Sequence, residues 1–151
     1  YIDETTMGMC LTHRRLFAQL ATELINEGKT ELAKKALDKC EKVIPDYNVP
    51  HSWRGGSMDI AQAYVRLGEK AKANKICQKL WNDYRQYAEW YLQFNGATFL
   101  SSQKDCMLYF QLMMEITKVT ETYDKALAKK QINELNKYYS MYAQKGGKTL
   151  E

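Results

Sequence analysis

The sequence predicts an all-α fold of antiparallel helical hairpins, about six helices in all. Three observations carry this. Two prolines and eight glycines in 151 residues, set among abundant Leu, Lys, Ala, Glu, Gln and Met, are a helix former's composition. Apolar residues recur at steps of three and four, the period of a helix with one buried face. The pattern also returns after forty residues: Leu20, Ala21, Leu24, Gly28, Ala33, Leu37 and Cys40 are answered by Ile60, Ala61, Tyr64, Gly68, Ala73, Cys77 and Leu80. Small residues at 21, 33, 61 and 73 let two backbones approach while large neighbours fill the gaps, as stacked helix pairs require.

Residues 1–9, YIDETTMGM, show no clear period and read as an extended lead-in or a first turn. From Cys10 or Leu11 to Glu27, Leu16, Phe17, Leu20, Ala21, Leu24 and Ile25 form the stripe of an amphipathic first helix. His13, Arg14 and Arg15 at its start put cations at the positive end of the helix dipole, either a solvated helix end or a contact for an anion or carboxylate. Gly28 supplies the left-handed residue that ends a helix. The second helix, Thr30 to Val43, turns Leu32, Ala33, Ala36, Leu37 and Cys40 inward. Its Lys34, Lys35, Asp38, Lys39, Glu41 and Lys42 make a mixed-charge, solvated face. Pro45 closes the unit. The stretch 46–56, DYNVPHSWRGG, is the one sustained loop. Within it His51 and Trp53 are candidate recognition residues, the alternative being that Tyr47, Val49 and Trp53 seal the end of the hairpin.

Ser57 or Asp59 can cap a third helix with Ile60, Ala61, Tyr64 and Val65 on its stripe, ended by Gly68. The fourth starts near Lys70 and holds its phase through Ala73, Ile76, Cys77, Leu80, Trp81, Tyr84, Tyr87, Ala88 and Tyr91 to Phe94. Trp90 is off that phase and is a candidate surface contact for a protein or a sugar ring. Ser101 or Ser102 with Asp105 resembles a capping box for a fifth helix that buries Cys106, Tyr109, Phe110, Met113, Ile116 and Thr120. A sixth, Tyr123 to Gln144, buries Leu127, Ile132, Leu135, Tyr138, Tyr139 and Tyr142. One unbroken helix over 102–144 would run ~64 Å, so a bend at 120–122 and a third, degenerate hairpin are expected, ended by Lys145-Gly146-Gly147.

At these positions the chain resembles the tetratricopeptide repeat family. The first unit would span 14–47, with Phe17, Leu20, Ala21, Leu24, Gly28, Ala33, Leu37, Cys40 and Pro45 on the pattern. After a loop at 48–53, the second would span 54–87, matching at Ile60, Ala61, Tyr64, Gly68 and Ala73 and departing at Ser57 and Arg85. The resemblance implies one TPR-like domain over 1–151, its hairpins stacked as a short superhelix. It also implies a concave groove for an extended peptide or partner helix, lined by Arg15, Gln19, Glu23, Asp59, Gln62 and Arg66.

The totals exclude other classes. A formal charge of +4 with a pI near 8.8 is too mild for a nucleic-acid footprint. No stretch approaches the ~20 apolar residues of a membrane span. Cysteines at 10, 40, 77 and 106 lack any C-x-x-C pair; Cys40 and Cys77 read as small core residues, with a Cys77–Cys106 bridge left open. His13 and His51 lack metal-ligand spacing, Gly147-Lys148-Thr149 only echoes a phosphate loop, and the carboxylates are scattered among lysines. Neither an active site nor a cofactor is expected. A chain that opens on Tyr1 and ends Leu150-Glu151, like a tag scar, reads as a piece of a longer protein.

A second resemblance is carried by the opening TMGMCLTHRRLFAQLATELINEGKTELAKKALDKCEKVIPDYNVP, with residues 6–10 and 45–51 as well as the repeats. It is similar to the C-terminal soluble region of a Bacteroidetes family of large multi-pass membrane proteins that itself resembles protein O-mannosyltransferases. This implies a membrane-tethered domain, the periplasmic side favoured. Its role would be protein binding, or guiding a glycan or acceptor protein with Trp53 and Trp90 as stacking surfaces. A third expectation is a dimerisation domain.

Overall fold

The structure, a computed structural model, describes residues 2–148. Tyr1, Thr149 and the Leu150-Glu151 end lie outside the described residues. Among those described, the regular structure is helical: α1 (Glu4–Asn26), α2 (Thr30–Val43), α3 (Ser57–Arg66), α4 (Lys70–Leu92), α5 (Gly96–Glu121) and α6 (Lys125–Gln144), with a 3-10 turn at Trp53–Gly55. The chain is thus all-α, with hairpin partners packed on one another. It forms two compact units, 2–77 and 78–148, and α4 runs through the boundary.

In the first unit the corners at Gly28 and Gly68 are equivalent. Their φ values are 75° and 78°. The Gly28 amide reaches the Ile25 carbonyl at 3.0 Å and the Lys29 amide reaches Leu24 at 2.8 Å; forty residues on, Gly68 reaches Val65 at 3.0 Å and Glu69 reaches Tyr64 at 2.9 Å. This pair of backward bonds satisfies the last carbonyls of a helix only if the intervening residue is left-handed. Each following helix then starts the same way, Ala33 bonding Lys29 and Ala73 bonding Glu69. The repeat's small positions are sealed: Ala21, Ala33, Ala61 and Ala73 have no exposed surface. Leu37 and Ile60 are equally enclosed, each burial worth about 1.5–3 kcal/mol.

Three expectations for this unit are corrected. The first helix begins at Glu4 rather than near Cys10, because the Asp3 carboxylate accepts from the Thr6 amide at 3.0 Å and from its hydroxyl at 2.7 Å. Those bonds hold the Asp3 carboxyl below its usual range. Leu16, Leu20 and Leu32, expected inside, are about half exposed. In α1 the buried arc runs through Arg14, Ala18 and Ala21, since small side chains admit α2 and α3 and turn the leucines of the opposite face outward. Finally, Gly56 rather than Ser57 or Asp59 is the N-cap of α3.

In the second unit α5 packs on α6. The buried residues of α6, Ala128, Gln131, Leu135, Tyr138 and Tyr142, step by three and four. Ile132, expected inside, falls off that seam and is 37% exposed. Phe110 anchors the core, with ring centroids at 4.8 Å from Tyr139 and 5.7 Å from Tyr142. The expected break between the last two helices is real. Thr122 bonds the Val119 carbonyl, and Asp124 caps α6 by accepting from the Leu127 amide at 2.9 Å. The capping box at 101–105 is not. Helix α5 begins at Gly96, and Ser101 and Ser102 lie inside it with hydroxyls donated back to the Thr98 and Phe99 carbonyls. The early start brings Phe99 into the core, 2% exposed.

Cys40 and Cys106 are buried free thiols, so the bridge left open from sequence is not formed. Burial pushes Cys40 up to about 11 and Cys106 up to about 12. Among the described residues no helix is long and apolar enough to cross a membrane.

Candidate functional site

The site begins with Arg14, which is fully buried. Its Nη2 donates to the carbonyls of Ile44 and Val49, and its Nη1 donates to that of Pro50 at 3.0 Å. Ile44 is the C-cap of α2, so the guanidinium meets the negative end of that helix and satisfies its terminal carbonyl together with two carbonyls of the loop that follows. Of the expected cationic cluster, then, one member serves backbone carbonyls from within a helix rather than an anion at its start. The 44–50 segment folds around this fixed cation, with Val49 only 2% exposed beside it.

A second set of bonds locks the rest of the loop. The Asp46 carboxylate accepts from the His51 amide at 2.8 Å. The His51 ring joins Ser57 Oγ, 3.0 Å from Nδ1, to Glu41 Oε2, 3.4 Å from Nε2, and Ser57 Oγ also accepts from the Ser52 amide. Serine, histidine and glutamate in a row have the composition of a nucleophile, base and orienting group. Here Ser57 has no exposed surface, so a substrate carbonyl cannot approach it as folded. The row connects α2, the loop and the first residue of α3, and it holds the loop in place. Its members lie sixteen residues apart or less, yet only the fold aligns them.

The loop so fixed delivers Trp53 and Arg54 to the side of α1. Gly55 and Gly56 make the approach possible. A Cβ on Gly55 would lie 2.9 Å from Leu11 Cδ2, and one on Gly56 would lie 2.9 Å from Arg15 Cγ and 3.3 Å from Arg15 Cα. Gly56 also has φ 68°, a conformation that side-chain-bearing residues rarely take. Between the turn and the first three helical turns of α1 an open groove of about 880 Å³ results. Met7, Met9, Leu11 and Trp53 give it an apolar lining, and His13, Arg15 and Arg54 line it with Glu4 as the carboxylate among them. Trp53 is 42% exposed, and the Arg54 guanidinium lies over its ring at 5.3 Å. Among the described residues neither Arg15 nor Arg54 has a carboxylate within ion-pair distance; Arg15 bonds only the Thr12 hydroxyl, at 3.3 Å.

Of the residues singled out from sequence, Arg15 and Trp53 come together in this groove. Asp59 reaches the same spot above Gly56 as Arg15, its Oδ2 3.5 Å from the position of an added Cβ. Gln19, Glu23 and Gln62 are exposed but outside the groove lining, and Arg66 donates to Asn26 at 2.8 Å across the hairpins. His51 is buried, 6% exposed, in the loop lock. Trp90 lies in the second unit, half exposed, edge-on to Tyr91 and Phe94, in a row of rings with Tyr87 stacked on Tyr109 at 4.6 Å. Met7, Met9 and Leu11 were not anticipated as lining, because the start of α1 has no periodicity to reveal it; the readable signal there was the Asp3-to-Thr6 cap. Among the described residues no group of three or more His, Cys, Asp or Glu side chains is placed to hold a metal ion. Comparison with protein-family models, with curated proteins and with solved structures finds no match.

Proposed function

We propose that this chain is a protein-interaction module of TPR-like helical hairpins, and that the groove between α1 and the Trp53 turn holds an extended peptide segment. The observation that carries the reading is the groove's makeup: an exposed Trp53 and an apolar lining beside two arginines that have no carboxylate of their own. An aromatic anchor with unpaired cations beside it suits a segment that offers an aliphatic or aromatic side chain next to a carboxylate. The Arg14 and His51 bonds keep the turn in place, so little ordering is required on binding. On this reading the chain serves as the soluble part of a membrane-tethered protein, as the Bacteroidetes resemblance implies.

A peptide array of mixed acidic and apolar segments, followed by calorimetric titration, tests the proposal. Trp53→Ala and Arg15→Glu should each weaken binding about tenfold or more, and Trp90→Ala should leave it unchanged. The half-exposed Trp90, edge-on to Tyr91 and Phe94, favours a second reading, a domain that guides a glycan for a membrane glycosyltransferase. Saturable sugar binding abolished by Trp90→Ala and untouched by Trp53→Ala would select it over the first.

A further inference from the structure

Helix α1 carries a second apolar face, turned away from its buried arc. Met9, His13, Leu16 and Leu20 follow one another at steps of four, three and four, the seam spacing of two helices that pack along their length. Met9 is 58% exposed, Leu16 54% and Leu20 49%. In the internal repeat the counterpart of the Leu20 end of this face is covered. Forty residues on, Ile60 stands where Leu20 does and is fully buried, and Ala63 stands where Glu23 does at 2% exposed.

We propose that a second copy of this chain covers it, the two α1 helices lying antiparallel about a two-fold axis that passes between Leu16 and Leu20. A two-fold interface must be complementary to itself, and this face is. In that register Leu16 lies against the partner's Leu20, Leu20 against the partner's Leu16, and His13 against the partner's Glu23 on both sides of the leucines. His13 and Glu23 have no ion-pair partner within the chain among the described residues. A parallel pairing would set Glu23 against Glu23 and is disfavoured by like charge. The contact is narrow, so the dimer is weak and depends on concentration. It borders the peptide groove only at Met9 and His13 and stands whether or not the groove binds a peptide.

Sedimentation equilibrium over a wide concentration range tests this on the whole chain. The mass should rise from 17.6 kDa towards twice that value. Both leucines are half exposed, so Leu16→Glu with Leu20→Glu should keep the circular dichroism of the wild type while weakening association at least about tenfold. For the register, His13→Glu should weaken the dimer and His13→Lys tighten it, and the exchange His13→Glu with Glu23→Lys should restore it. A chain that stays monomeric at its highest soluble concentration overturns the proposal. So does a dimer indifferent to the leucine pair, and a charge exchange that fails to restore association overturns the antiparallel register.

Discussion

Arg14 is the residue on which the loop of the first unit depends. Three carbonyls from Ile44, Val49 and Pro50 converge on one guanidinium, and no other residue type offers five donors in a planar fork. Arg14→Met would leave those carbonyls unpaired and should cost about 3 kcal/mol or more, read as a lower urea midpoint. Arg14→Lys keeps the charge but cannot span the three acceptors, and should recover less than half of the loss. Equal midpoints for the wild type and Arg14→Met would show that the clamp adds nothing. The thiols give a prediction of a different kind. An unfolded Cys ionises near 9.0, while burial holds folded Cys40 to about 11 and Cys106 to about 12. Their folded values are raised, so neither thiol alters stability below the unfolded value; as pH rises past it the unfolded chain ionises first and stability falls. Urea midpoints measured from about pH 8 to about pH 11 should therefore decline, and Cys40→Ala with Cys106→Ala should flatten the decline. In the native chain the half-buried Cys10 should react with a thiol reagent well ahead of both.

At the scale of elements, three glycines rank themselves. Gly28 and Gly68 have positive φ but nothing within 4 Å of an added Cβ, so alanine at either should cost only the backbone term, roughly 1 kcal/mol. Gly56 has the same handedness and also faces Arg15 at 2.9 and 3.3 Å. Gly56→Ala must push α1 away from the Trp53 turn, so thermal unfolding should show a clearly larger loss there, together with loss of peptide binding in the groove. The corners were legible in the sequence because a glycine after a helical stripe recurs at one spacing with small residues on either side. The leucines of α1 were misread because a count of apolar residues cannot say which arc a neighbouring helix needs. Ala18 and Ala21 permit the close approach, and Leu16 and Leu20 turn away as a consequence. Likewise Ser101 and Ser102 look like caps, yet a serine hydroxyl can equally bond a carbonyl three residues back in a helix already under way. The groove was legible only by half. Arg15 and Trp53 announce themselves by type, whereas Arg14 and His51, which hold the turn that presents Trp53, become buried through contacts thirty or more residues apart or through loop folding that periodicity does not encode.

At the scale of the molecule the two compact units have one element in common. Helix α4 enters from Gly68 in the first and continues past Cys77 to Leu92 in the second, where Tyr84, Tyr87 and Tyr91 gather around Tyr109. A helix that frays in one unit loses propagation in the other, since each hydrogen bond along it depends on the residues either side being helical. The wild-type chain should therefore unfold in a single calorimetric transition. Asn82 lies in the middle of α4 with its side chain exposed, so a change there removes no core packing. Asn82→Pro deletes the amide that would bond the Gln78 carbonyl and places a ring against it, a penalty of about 3 kcal/mol or more in a helix interior. The break falls on the second unit's side of the boundary, while the Gly68 corner and the buried Ala33, Leu37 and Ala73 remain as they were. Two transitions should then replace one. Amides of Ala33 and Leu37 should exchange near the wild-type rate, and those of Phe110 and Tyr138 much faster. If the proline variant still melts in one step with both sets of amides equally exposed, the units are coupled by more than α4. If the wild type already melts in two steps, continuity of the helix does not couple them at all.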